Sequence, residues 1–97
     1  MPTFERTPRF DADWNKLSAD QQDRFLVCVR EFVEDIGNGQ GFRPGLRVKG
    51  VRATANVFEM TWAPDGRATW QYGDPIVDGE PHVIWRRVST HGIFAGP

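Results

Sequence analysis

The hydrophobic period of this chain changes once, from helical spacing in the first part to strict alternation in the second. A chain patterned in this way must lay the apolar stripe of its helices on one face of an antiparallel sheet. Ser18-Ala19-Asp20-Gln21 has the form of a capping box, and Phe25, Leu26, Val29, Phe32, Val33 and Ile36 follow it on one helical face. The spacing predicts an amphipathic helix that stops at Gly37-Asn38-Gly39. Ahead of it, Arg9 to Leu17 reads as a short helix carrying Phe10 and Trp14 four residues apart, and residues 3 to 6 as a short edge strand. With almost no loop between them, the two helices form a hairpin.

Val57 to Trp62, Arg67 to Tyr72 and Val83 to Val88 alternate between turn signals and are rich in aromatic and β-branched residues, so they read as strands. Ala63-Pro64-Asp65-Gly66 has the composition of a hairpin turn, with Gly66 expected in a left-handed conformation. The segment from Gly73 to Pro81 is a longer surface loop. The expected architecture is α+β: an N-terminal short strand and helical hairpin packed on a three- to four-stranded antiparallel sheet. Residues 1–97 are expected to form a single domain. Phe58, Met60, Trp62, Ala68, Trp70 and Tyr72 should face the helices. Glu59, Thr61, Arg67, Thr69 and Gln71 are left on an open polar face, joined by Ile84 and Arg86 from the last strand.

The formal net charge is −1, but residues 1 to 40 carry five basic and eight acidic side chains against seven and five in residues 41 to 97. An anionic partner should therefore meet the second half. The lone Cys28 excludes an internal disulfide and reads as a small buried hydrophobe, which suits a reducing cytoplasm. No stretch approaches the roughly 18 consecutive apolar residues of a membrane span, and no signal peptide is visible.

Two groups of residues carry chemistry. Arg43, Arg47, Lys49 and Arg52 place four cations between positions 43 and 52 with no acid among them. Such a segment can track a phosphate backbone or serve simply as a solvated loop face. The tail, Arg86-Arg87-Val88-Ser89-Thr90-His91-Gly92-Ile93-Phe94, follows guanidinium groups with an imidazole and an aromatic ring. Imidazole moves protons near neutral pH and guanidinium groups bind phosphate through paired donors. In a meander the last strand finishes beside the hairpin turn, which groups His91 with Asp65, Arg67 and Arg86 and flanks them with Phe94. His82 lies roughly 25–30 Å from His91 across an extended strand at about 3.3 Å per residue, so it reads as structural. Asp65 is also what such a turn prefers for its own sake.

Two helices followed by an antiparallel sheet, Leu46-Arg47-Val48-Lys49-Gly50 entering it, Pro64-Asp65 in the hairpin, and Thr90, His91 and Phe94 in the tail resemble the RelE/ParE superfamily of bacterial type II toxins, in particular its YafQ-like ribonucleases. The resemblance implies cleavage of mRNA, on the ribosome in the RelE type, by attack of a 2′-hydroxyl on the adjacent phosphate without metal or cofactor. It implies neutralisation by a small antitoxin, often a helix-turn-helix or other operator-binding protein. It makes His91 the proton-transfer group, Asp65 the turn aspartate and Phe94 the C-terminal aromatic. Lys49, Arg67 and Arg86 fall where the family places phosphate-binding cations, while Arg47 and Arg52 belong to the nucleic-acid-binding segment. The chain departs from that pattern in having Thr61 and Trp62 ahead of the turn, where further histidines are expected, and in its low net charge. Two alternatives stay open: a ParE-like toxin that binds gyrase without catalysis, or a solitary degenerate member acting as an interaction domain.

Overall fold

Thr7 begins the first helix by accepting a hydrogen bond from the Phe10 N–H at its hydroxyl, with Pro8 supplying a preset φ in the first turn. A computed structural model of the chain describes residues 2–52 and 54–90. In chain order these form β1 (Thr3–Arg6), α1 (Pro8–Asn15), α2 (Ala19–Asn38), a 3₁₀ turn (Pro44–Leu46), β2 (Lys49–Gly50), β3 (Phe58–Ala63), β4 (Gly66–Gly73) and β5 (His82–Ser89). The capping box of α2 is complete: Gln21 N–H donates to Ser18 Oγ at 3.2 Å, and Ser18 N–H donates to Gln21 Oε1 at 2.8 Å. Gly39 ends the helix at φ 68°, a left-handed cap that suits glycine.

The sheet has five strands in the order β1-β5-β4-β3-β2, two more than the central meander. β1 pairs parallel to β5, with Thr3 opposite His82 and Arg6 opposite Trp85, so both helices form part of the crossover between the sheet's first and last strands. β2 adds an edge of two residues, Lys49 opposite Glu59 and Gly50 opposite Phe58. His82 is 3 % exposed and locks the β1 edge, its Nδ1 2.7 Å from Thr3 Oγ1 and its Nε2 2.7 Å from Glu5 Oε1. Its role is structural.

Of the expected apolar face, Phe58, Met60, Trp62, Ala68 and Trp70 pack under the helices, while Tyr72, near the far end of β4, is exposed. Met60 lies opposite Ala68 and Phe58 opposite Trp70, while Phe25 packs on Trp62 and Trp85 and Phe32 on Trp70 and Trp85 with centroids 5.0–6.0 Å apart. Trp62, Trp70 and Trp85 are all buried. Cys28 packs against this layer with its Sγ 3.7 Å from the Trp62 carbonyl, and burial pushes its thiol pKa up. Among the described residues no helix is long and apolar enough to cross a membrane.

Three details differ from the sequence reading. Gly66 does not have a positive φ; it pairs with Ala63, and a Cβ there would sit 2.6 Å from the Trp62 ring. Close approach, and not turn conformation, is what requires glycine. In β5 a bulge places Trp85 opposite Trp70 but Arg87 opposite Thr69, so Arg86 is the extra residue. The bulge reverses the alternation, which lets Val83, Trp85 and Val88 all face the core. Finally, the second face is not open at its centre: Thr69 and Glu59 are 0 % and 5 % exposed although they point away from the helices. Both sit on inner strands of the wider sheet.

Candidate functional site

The β3–β4 turn gathers cations on this second face. Arg67, opposite Thr61 on β3 and Ser89 on β5, folds its guanidinium back on the turn and donates to the Gly66 carbonyl at 2.9 Å, with the Ala63 and Pro64 carbonyls at 3.4 Å. The 3₁₀ turn ends at Arg47 in a left-handed conformation, φ 50°, and the chain then enters β2 at Lys49. Arg47, Val48, Lys49, Thr61 and Arg67 line a groove of about 290 Å³. Lys49 Nζ stands 3.2 Å from Glu59 Oε1. The groove can hold an anion between cations that approach it from three segments of the chain.

The other expected residues are distributed around it. Arg86 is on the same face but donates to Gln71 Oε1, four residues from Arg67 along β4, or roughly 13 Å at about 3.3 Å per residue. Asp65 is exposed in the turn, and Arg52 is exposed beyond β2 and does not line the groove. His91 and Phe94 lie outside the described residues. The pairing of Ser89 with Arg67 does bring β5 to its end in the Arg67 row, two residues before His91 in sequence. No group of three His, Cys, Asp or Glu side chains among the described residues is arranged to hold a metal.

Two cations from the basic segment and the tail, Arg43 and Arg87, serve the fold instead. Arg43, counted with the basic segment, is bound by α2: its Nε and backbone N–H each lie 2.9 Å from Asp35 Oδ2, and its guanidinium reaches Asp35 Oδ1 at 2.8 Å and Glu31 Oε2 at 3.1 Å. These bonds hold the Asp35 pKa down at about 2 and raise that of Arg43. Since the folded pKa of Asp35 lies below its ordinary value, this contact stabilises the protein above about pH 4 and is lost as pH falls toward 2. Asp35→Asn should therefore flatten the fall in the urea midpoint between pH 4 and pH 2, and an unchanged slope would remove Asp35 as a source of acid sensitivity.

Arg87 is held in the same manner by Asp13 on α1. Its Nε and Nη2 donate at 2.8 and 2.9 Å to the two carboxylate oxygens, and the Val88 N–H reaches Asp13 Oδ2 at 3.3 Å. Burial alone would raise the Asp13 pKa, but the Arg87 hydrogen bond and charge and the Val88 N–H outweigh it and lower the value. The sequence gives no sign that Asp13, Asp35 and Glu59 are buried, because each is held by a cation outside its own element.

A separate groove of about 560 Å³ between β1 and the helices is lined largely by Phe4, Phe10, Trp14, Phe25, Leu26 and Val29. Arg6 and Asp11 on its rim pair at 3.2 Å. It offers apolar contact and no acid–base constellation.

No family model and no curated protein sequence matches the chain. Solved structures do. YafQ from Escherichia coli strain BL21(DE3) superposes with a TM-score of 0.69 at 11 % identity, covering 99 % of this chain and 100 % of that one. The YoeB/ParE toxin from Agrobacterium tumefaciens gives 0.65 at 10 % identity over 92 % and 98 %. The RelB–RelE antitoxin–toxin complex from Methanococcus jannaschii gives 0.61 at 15 % identity over 94 % of each chain. At such identities the likeness is one of architecture, and it extends over nearly the whole length of both partners. The chain has the fold of the RelE/ParE toxin superfamily.

Proposed function

We propose that the protein is the toxin of a type II toxin–antitoxin pair and acts as a metal-independent mRNA endonuclease. The observation that carries this reading is the cation-lined groove of Arg47, Lys49 and Arg67 in the row where β5 ends. The fold shared with YafQ, YoeB/ParE and RelE supports the toxin role, and RelE in the comparison above is bound to the antitoxin RelB. A small antitoxin, DNA-binding or not, is the corresponding partner here.

In the proposed reaction the 2′-oxygen forms a bond to phosphorus as the bond from phosphorus to the 5′-oxygen breaks. The products are a 2′,3′-cyclic phosphate and a 5′-hydroxyl. His91 moves a proton, and Asp65 orients it or carries the second proton, since the hydroxyl must lose one and the leaving oxygen must gain one. Arg67, with Arg47 and Lys49, balances charge growing on the phosphoryl oxygens. Arg86, displaced along the face, and Arg52, beyond the groove, meet neighbouring phosphates, and Phe94 stacks on a base. The ribosome can supply the RNA in a fixed conformation. Inducing the protein in a bacterium should arrest growth with a fall in translation, and co-expression of its antitoxin should relieve the arrest. Normal growth under strong induction would overturn the proposal.

A further inference from the structure

We infer that Glu59 is a positioning residue that fixes where Lys49 presents its ammonium to an RNA phosphate, an inference that rests on the nuclease reading above. Lys49 stands on an edge strand of two residues with its side chain 73 % exposed, yet its Nζ is 3.2 Å from Glu59 Oε1. Glu59 is on β3, between β2 and β4, with a side chain 7 % exposed. Its second oxygen, Oε2, is enclosed and has no hydrogen-bond partner among the described residues. A carboxylate held this far from water costs stability, and an apolar side chain would fill the same place without that cost. What the carboxylate does here is hold the ammonium end of a long side chain that is otherwise mostly exposed.

The chemistry of the pair fits the groove. An ammonium group has three donors, and Glu59 engages one face of it, so the remaining donors are available to a phosphate between Arg47 and Arg67. Thr61, two residues along β3 on the same face, lines the groove beside them. A lysine already ordered loses less rotamer freedom when the anion binds.

Charge counting and positioning make opposite predictions. Glu59 is an acid beside a proposed phosphate site, so removing its charge should tighten RNA binding if electrostatics alone mattered. If Glu59 positions Lys49, removing that charge should weaken binding. The probe is a short fluorescein-labelled 2′-O-methyl RNA, which lacks the attacking hydroxyl. Glu59→Gln should weaken its binding about three- to tenfold, the range expected for leaving one flexible side chain unordered. Lys49→Ala should lower the salt slope by about 0.7, one phosphate contact on a single strand. In the Lys49→Ala background, Glu59→Gln should change nothing further. Equal or tighter binding by Glu59→Gln, or the same loss without Lys49, would overturn the role of Glu59.

A second measurement needs no variant. The chain has two lysines, Lys16 and Lys49, so only two side-chain ammonium signals are expected by NMR. Proton exchange at Lys49 should be slower than at the exposed Lys16, and equal exchange would contradict the inference. Failure of the wild-type protein to bind RNA would sink the nuclease reading itself, a result distinct from either outcome for Glu59.

Discussion

Replacing His91 with alanine should lower the rate of RNA cleavage by about 10²- to 10⁴-fold, the contribution of a positioned acid or base, and leave the thermal midpoint of unfolding unchanged. The reason lies in the register. β5 reaches its end at Ser89 opposite Arg67, a residue that lines the groove, and His91 follows two residues later in the sequence. His82 cannot substitute for it, because both of its ring nitrogens are engaged by Thr3 and Glu5 at the β1 edge. With one imidazole left for the reaction, the second proton falls to Asp65 or to solvent. Cleavage at the wild-type rate in His91→Ala would remove His91 from the mechanism. Arrest that survives the substitution and shows itself in DNA supercoiling would favour the gyrase-binding alternative.

The largest loss of stability should come from Asp13→Ala, about 3 kcal/mol, because the substitution removes both hydrogen bonds from the mostly buried Arg87 guanidinium to the Asp13 carboxylate and takes that acceptor from the buried Val88 N–H. For a domain of this size that corresponds to a fall in thermal midpoint of roughly 12–24 °C, at about 4–8 °C per kcal/mol. The contact matters beyond its own strength because α1 and β5 meet through it. The bulge at Arg86 turns Arg87 out of the alternation, and Asp13 receives both the freed side chain and the next N–H. Asp13→Asn, which keeps an oxygen acceptor for Val88, should lose less. A midpoint unchanged in Asp13→Ala would show that the pair is too solvated to contribute.

The parts of this architecture that could be read from the sequence are those encoded locally. Ser18 and Gln21 announce the start of α2, Gly39 its end, and the alternation of Phe58, Met60 and Trp62 against Ala68 and Trp70 fixes which face meets the helices. β2 was not legible, since Lys49-Gly50 has no alternation to display and is a strand only through its pairing with β3. The same applies to the parallel pairing of β1 with β5, whose partners are nearly eighty residues apart. Charge was the least legible property. Arg43, Arg47, Lys49 and Arg52 look equivalent in sequence, but Arg43 is tied to three acids on α2, Lys49 to one on β3, and Arg47 and Arg52 are exposed. Ion pairing across elements thus sorts a uniform basic run into structural and available cations. Lys49 and Arg67, both named from the sequence, line one groove, whereas the burial of Glu59 beside Lys49 carries no local signal.

Mapping RNA ends after a short induction tests the central claim most directly. Attack by the 2′-hydroxyl requires new 5′-hydroxyl ends paired with 2′,3′-cyclic phosphates, formed in the presence of EDTA by purified protein or in cells, and absent with His91→Ala. Intact RNA during a growth arrest, or new ends bearing 5′-phosphates, would contradict it.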